Sequence, residues 1–161
     1  MLKYFPDPDV QDKDGRTPLD LACYRGETSC VECLMLHNAN YELRDMVNGR
    51  ASLHAAAFNN NDECLKIISL IVNSRTSSSN RLNETYDYFA NANEDSNQAN
   101  AFMNTKLANL RDKFNRTPLM IAVEQGHLNT INFLINQMGA DVFATDDKNR
   151  TALHRAVSKL F

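Results

Sequence analysis

This chain predicts an all-α solenoid of stacked helix pairs, and three observations carry that prediction. One stretch recurs four times: DGRTPLDLA from Asp14, NGRASLHAA from Asn48, FNRTPLMIA from Phe114 and KNRTALHRA from Lys148. Aligned on Thr17, Ala51, Thr117 and Thr151, the copies step by 34, 66 and 34 residues, close to one, two and one lengths of a ~33-residue unit. Apolar residues fill matching columns, Leu19, Leu53, Leu119 and Leu153, then Ala22, Ala56, Ala122 and Ala156 three residues on. Residues three apart share a helix face, so each copy opens with an amphipathic helix.

The elements of a unit follow in order. Asp-Lys-Asp-Gly at 12–15, Asn48-Gly49 and Asp147-Lys148-Asn149 are turn-formers that precede the first helix as a hairpin would. Thr17, Thr117 and Thr151 stand where a side-chain oxygen caps the free amides, and Pro18 and Pro118 take the first helical position. Gly26 and Gly126, with Asn60 in their column, mark the stop, because a helix C-cap favours a left-handed residue. A second apolar face then begins, with Val31 and Leu34, Leu65 and Ile68, and Ile131 and Leu134.

The strings TPLDLA, ASLHAA, TPLMIA and TALHRA resemble the signature of ankyrin repeats, over about three-quarters of the chain. QDKDGRTPLDLACYRGETSCVECL, LHAAAFNNNDECLKII and RTPLM followed by RTALHRAV further resemble the long ankyrin scaffolds that serve as regulatory subunits of serine/threonine protein phosphatase 6. The resemblance implies helix-turn-helix units joined by β-hairpin-like loops, about three and a half of them. It also implies a non-catalytic interaction scaffold, with a phosphatase 6 complex as partner. The other function class is the ankyrin portion of a larger S-acyltransferase, kinase or cation channel. Residues 1–11 read as a leader or the tail of a preceding repeat, 12–72 as repeats 1 and 2, and 110–161 as repeat 3 and a partial repeat 4.

Between them lies 73–109. Projecting the columns forward by one unit places Glu84, Tyr86 and Phe89 where Thr, Leu and Ala belong, so no fifth repeat fits. The segment is rich in Asn and Ser, a composition that buries too little apolar area to offset ordering entropy. It reads as a long disordered insertion after the second unit, with NETYDYFANANED as a candidate docking motif. Loop closure costs rise only logarithmically with length, so units 2 and 3 still stack.

Composition narrows the function classes. A net charge of −3 argues against nucleic acid as the main partner. No apolar run approaches the ~20 residues of a membrane span. Pro6, Asp7 and Asp9 interrupt any secretory h-region, which suggests the cytosol or nucleus and reduced cysteines. His54 and His154 share a column with Asp20 and Met120, so they read as hydrogen-bonding groups within and between repeats rather than catalytic bases. Cys30-x-x-Cys33 has no second pair or spaced histidines, and its columns hold core-like residues, so the expectation is packing and no metal. DKDG fails as a calcium loop, since Val10 and Leu21 fall where ligands are required. No cofactor-binding loop is present in a chain with five glycines.

What remains is surface. In an ankyrin array the hairpin tips and the exposed face of each first helix form a concave binding strip. The resemblance places on it Lys13, Met46, Phe114 and Lys148 at the tips, and Tyr24, Arg25, Phe58, Glu124 and Arg155 on the first helices. Leu21, Ala55 and Ile121 are expected there too. Aromatic, Met and Arg side chains dominate interface energetics, and Phe114 is a large apolar residue at a turn that should be wet.

Overall fold

A computed structural model describes residues 7–82 and 95–158, with side-chain surroundings for 7–75 and 100–158. Among the described residues eight helices follow one another: α1 (Pro18–Arg25), α2 (Thr28–Leu36), α3 (Ser52–Phe58), α4 (Asp62–Leu82), α5 (Asp95–Ala108), α6 (Pro118–Gln125), α7 (Leu128–Asn136) and α8 (Ala152–Ser158). There is no strand among the described residues. The first helices α1, α3, α6 and α8 stack one on the next as an inner layer. The second helices α2, α4 and α7 line up behind them.

The start signals act as the residue types require. Thr17 accepts a hydrogen bond from the Asp20 amide at 3.1 Å, and Thr117 one from the Met120 amide at 3.3 Å. Repeat 2 has Ala51 instead and lacks that cap; there the His54 ring makes the reciprocal bond that Asp20 makes in repeat 1, Nδ1 accepting from the Ala51 amide at 3.3 Å. Gly26 and Gly126 end α1 and α6 at φ 76° and 79°, and Asn60 takes the same left-handed conformation at 60°.

The leucine column is the core. Leu19, Leu53 and Leu119 are fully buried, as are Val31, Leu65, Ile68 and Leu134 from the outer layer. Each such side chain contributes roughly 1.5–3 kcal/mol through burial. In the fourth rung the same column is wet, Leu153 being 76% exposed.

The hairpin-like loops join in register. Single backbone hydrogen bonds link their tips, from the Met46 amide to Asp14 (2.8 Å), Lys113 to Asn48 (3.1 Å) and Asp147 to Phe114 (3.3 Å). Gly15, Gly49, Asn115 and Asn149 hold the left-handed position of each turn. At Gly15 a Cβ would lie 2.6 Å from the Met46 side chain, so the turn needs a glycine for space as well as for φ.

The segment 73–109 departs from the expected disordered insertion at both of its flanks. Residues 73–82 continue α4, and 95–108 form α5, which packs on α4. The reason is local spacing that the average composition hides. Leu65, Ile68 and Val72 bury one stripe of α4, while Met103 and Leu107, four apart, turn one stripe of α5 inward. Asn73 donates to Asn104 at 3.1 Å across the pair. The NETYDYFANANED motif lies largely outside the described residues.

Candidate functional site

Two grooves open on the inner side, between the turn tips and the first helices. One, between repeats 1 and 2, encloses about 230 Å³ and is lined by Arg16, Asp20, Leu21, Tyr24, Asp45, Asn48, Arg50, Ala51 and Ala55. The other, between repeats 3 and 4, encloses about 360 Å³ and includes Phe114, Arg116, Glu124, Asp146, Lys148, Arg150 and Arg155.

The predicted residues divide between them. Tyr24 is 50% exposed and stacks on half-buried Phe58, ring centroids 6.3 Å apart. Phe114 is 43% exposed, under the Lys113 ammonium (5.0 Å) and the Arg116 guanidinium (4.8 Å). Met46, 74% exposed, and Lys13 stand at the tips, and Lys148 is exposed on the rim of the second groove. Arg25 is exposed on the last turn of α1 and lines neither groove.

Three expectations need correction. Arg155 is buried, not presented to a partner: its Nη2 donates to Asp146 at 2.7 Å and its Nη1 to Glu124 at 2.8 Å. It stands in the column of Leu21, Ala55 and Ile121, and its guanidinium is held by those two acids. Ile121, expected on the exposed strip, is 1% exposed. Cys30 and Cys33, expected as small core hydrophobes, lie on the exposed side of α2, whereas Cys23 and Cys64 are buried.

The histidines behave as hydrogen-bonding groups. His54 is fully buried; its Nε2–H donates to the Arg116 carbonyl in the next repeat at 3.1 Å. Burial pushes its pKa down to about 4 despite that bond, so the ring is neutral at pH 7. His154 pairs with Thr151 at 2.9 Å within its own repeat. Asp20, in the same column, accepts from Ser52 of the next repeat at 2.8 Å and from the Thr17 amide at 2.9 Å. Burial raises its pKa even so.

A second column went unread in the sequence. An Asp and an Arg four residues apart close three of the four turns, Arg Nε donating to Asp Oδ2: Arg16 to Asp12 (2.9 Å), Arg116 to Asp112 (2.7 Å) and Arg150 to Asp146 (3.0 Å). Oδ1 of each Asp accepts two turn amides as well. Burial opposes ionisation of Asp146, but the bonds from Arg150, Arg155 and the Lys148 amide hold its carboxyl well below the usual range. The signal was there to find, a D-x-x-x-R spacing at 12–16, 112–116 and 146–150.

Repeat 2 breaks that rule. Its turn has one more residue, Asp45 to Arg50, so Asp45 Oδ2 receives the Arg50 backbone amide (3.2 Å) and not its guanidinium. The guanidinium lies over the Phe58 ring at 5.1 Å, and its Nε is buried without a hydrogen-bond partner.

Among the described residues there is no group of three His, Cys, Asp or Glu side chains that could hold a metal, and no helix long and apolar enough to cross a membrane. A helical solenoid with grooved inner surfaces and hairpin tips is the architecture of a protein-binding module. Residues 1–77 and 88–160 each match the family model described as ankyrin repeats (3 copies), and the chain belongs to the ankyrin-repeat family. A protein of Arabidopsis thaliana named as an E3 ubiquitin-protein ligase, XBAT31, is 29% identical over 84% of this chain and 25% of its own length. Rabankyrin-5 of Mus musculus is 28% identical over 90% of the chain and 13% of its own length. The potassium channel AKT2/3 of Arabidopsis thaliana is 38% identical over 42% and 8%. The chain thus spans a quarter or less of the length of these relatives.

Proposed function

We propose that this chain is a non-catalytic scaffold that holds a protein partner along its inner face, in the cytosol or nucleus. The observation that carries the reading is the pair of inter-repeat grooves, lined by exposed Tyr24 and Phe114, with Met46 exposed at a neighbouring turn tip, side chains of the kind that anchor interfaces. The sequence likeness to phosphatase 6 scaffolds makes a phosphatase 6 complex the first partner to test. A second reading is favoured by the relatives, in which the region similar to this chain is a quarter or less of a protein named as a ubiquitin ligase or a channel. In that reading these repeats select the partner and chemistry or conduction belongs to another part of the protein.

Quantitative capture from cell extract, with the native chain beside a folded Phe58→Ala/Phe114→Ala variant, separates the two. Enrichment of phosphatase 6 subunits that the variant loses supports the first. Loss of a different partner in the variant keeps the inner-face scaffold and removes the phosphatase. Capture that the variant retains in full removes the inner face as the binding surface.

A further inference from the structure

Arg50 is built differently from the other three arginines of its column. Arg16, Arg116 and Arg150 are each neutralised by an aspartate of their own turn at 2.7–3.0 Å. Among the described residues the Arg50 side chain has no hydrogen bond or ion pair; its one contact of note is the Phe58 face.

The acids around it are committed elsewhere. Asp45 spends both oxygens on the amides of Asn48 and Arg50. Asp20 serves Thr17 and Ser52, Asp112 serves its own turn, and Glu124 serves Arg155. Burial, and then the like charge of Arg116, push the Arg50 pKa down against the weaker pull of Asp112, Asp45 and Glu124. A half-buried cation kept in this way has only the Phe58 face and distant acids to offset its burial, and no hydrogen bond to its Nε.

The placement suits an incoming anion. With Nε buried, the two terminal Nη groups are the donors left to bond a carboxylate bidentately. Arg50 lines the groove between repeats 1 and 2, with Tyr24 as an apolar wall beside it. A volume near 230 Å³ suits a few side chains of an extended segment rather than a folded domain.

We propose that this groove receives an extended acidic segment of the partner protein, whose Asp or Glu carboxylate pairs with Arg50. The proposal rests on the inner-face scaffold reading and adds the chemistry of the occupant.

The test is selection of displayed random 12-residue peptides on the full chain and on its Arg50→Gln variant, checked for native helicity. Peptides retained by the native chain are expected to carry Asp or Glu at one fixed position. Changing that residue to Gln or Asn in a synthetic peptide should weaken binding about tenfold on the native chain and less than twofold on the variant. Arg50→Met should raise Tm yet also lose the acidic preference, which a purely structural arginine would not produce. An acidic preference that persists against Arg50→Gln overturns the proposal. So does its absence from peptides that still need Phe58, and there the scaffold reading survives. If the native chain retains no peptide, the proposal falls while the capture experiment decides the scaffold separately.

Discussion

The groove of repeats 1 and 2 and the groove of repeats 3 and 4 are built from the same columns, yet one leaves its arginine unpaired and the other closes on itself. In the second, Arg155, Arg150 and Arg116 share Asp146, Asp112 and Glu124 in a network largely withdrawn from water. In the first, one additional turn residue moves Arg50 past Asp45, and the guanidinium falls onto Phe58. The difference teaches that turn length, rather than residue identity, decides whether a charge in this fold is structural or available. Both turns contain an Asp and an Arg; only the register differs.

The largest effect should come from breaking the closed side. Asp146→Ala leaves Arg155 buried without its principal partner, and removing one member of a buried pair costs about 3–5 kcal/mol. The loss should appear in denaturant melts and as faster amide exchange across α8. Asp45→Ala removes only two amide acceptors in a partly exposed turn, at a cost of about 1 kcal/mol. Equal losses at the two positions would erase the distinction.

Acidification reaches the boundary between the two halves next, because His54 bridges repeat 2 to the Arg116 carbonyl of repeat 3. The unfolded ring takes a proton near pH 6.5, the folded ring only near 4. Between those values the unfolded chain binds more protons, so stability falls as the pH falls, by on the order of 3 kcal/mol over the whole window. The depressed Asp146 has the same sign at lower pH, its contribution being lost as its carboxyl protonates. Asp20, raised by burial, acts in the opposite direction, favouring the folded state under acid. Urea titrations from pH 7 to 4.5 should show the decline, and His54→Gln should flatten it from a lower baseline. A native profile level across the window would mean that the ring is hydrated.

Shortening the turn sharpens the comparison more gently. Deleting Val47 restores the four-residue spacing from Asp45 to Arg50, and the guanidinium should then pair as in the other turns. A charge-assisted hydrogen bond replacing an orphaned donor is worth about 1–2 kcal/mol, visible as a higher Tm. The same deletion should abolish the acidic peptide preference. A stabilised variant that keeps the preference would separate register from recognition.

These contrasts also mark what the sequence made legible. Thr17, Gly26, Asn60 and the leucine column could be read directly, since capping, left-handed φ and helix periodicity act within a few residues. Helix α5 could not, because its apolar residues are mixed with Asn, Ser and Thr and one of the largest, Phe102, stays exposed, while Met103, Leu107 and Ala108 gain a surface to bury against only when the helix packs on α4. Arg155 looked like a surface charge because its partner Asp146 lies nine residues back and Glu124 lies in another repeat. The candidate site was legible as a strip of columns. The state of each charge on it was not, since that depends on a turn one residue longer than its siblings.

The smallest effect tests whether the columns are interchangeable at all. Repeat 2 alone has Ala51 in place of the capping threonine, with His54 three residues on. Repeat 4 shows that Thr and His coexist in those two positions, Thr151 Oγ1 lying 2.9 Å from His154 Nδ1. Thr17 and Thr117 are fully buried in their repeats, as Ala51 nearly is, so the larger side chain has precedents in equally tight surroundings. Ala51→Thr should therefore add a hydroxyl that donates to His54, and a gain of about 0.5–1 kcal/mol is expected from completing the cap. The hydroxyl would also share a ring nitrogen already occupied by the Ala51 amide, which keeps the gain below that of a full N-cap. A loss of stability would show that the His54 bridge to repeat 3 sets the ring too firmly to admit a second donor.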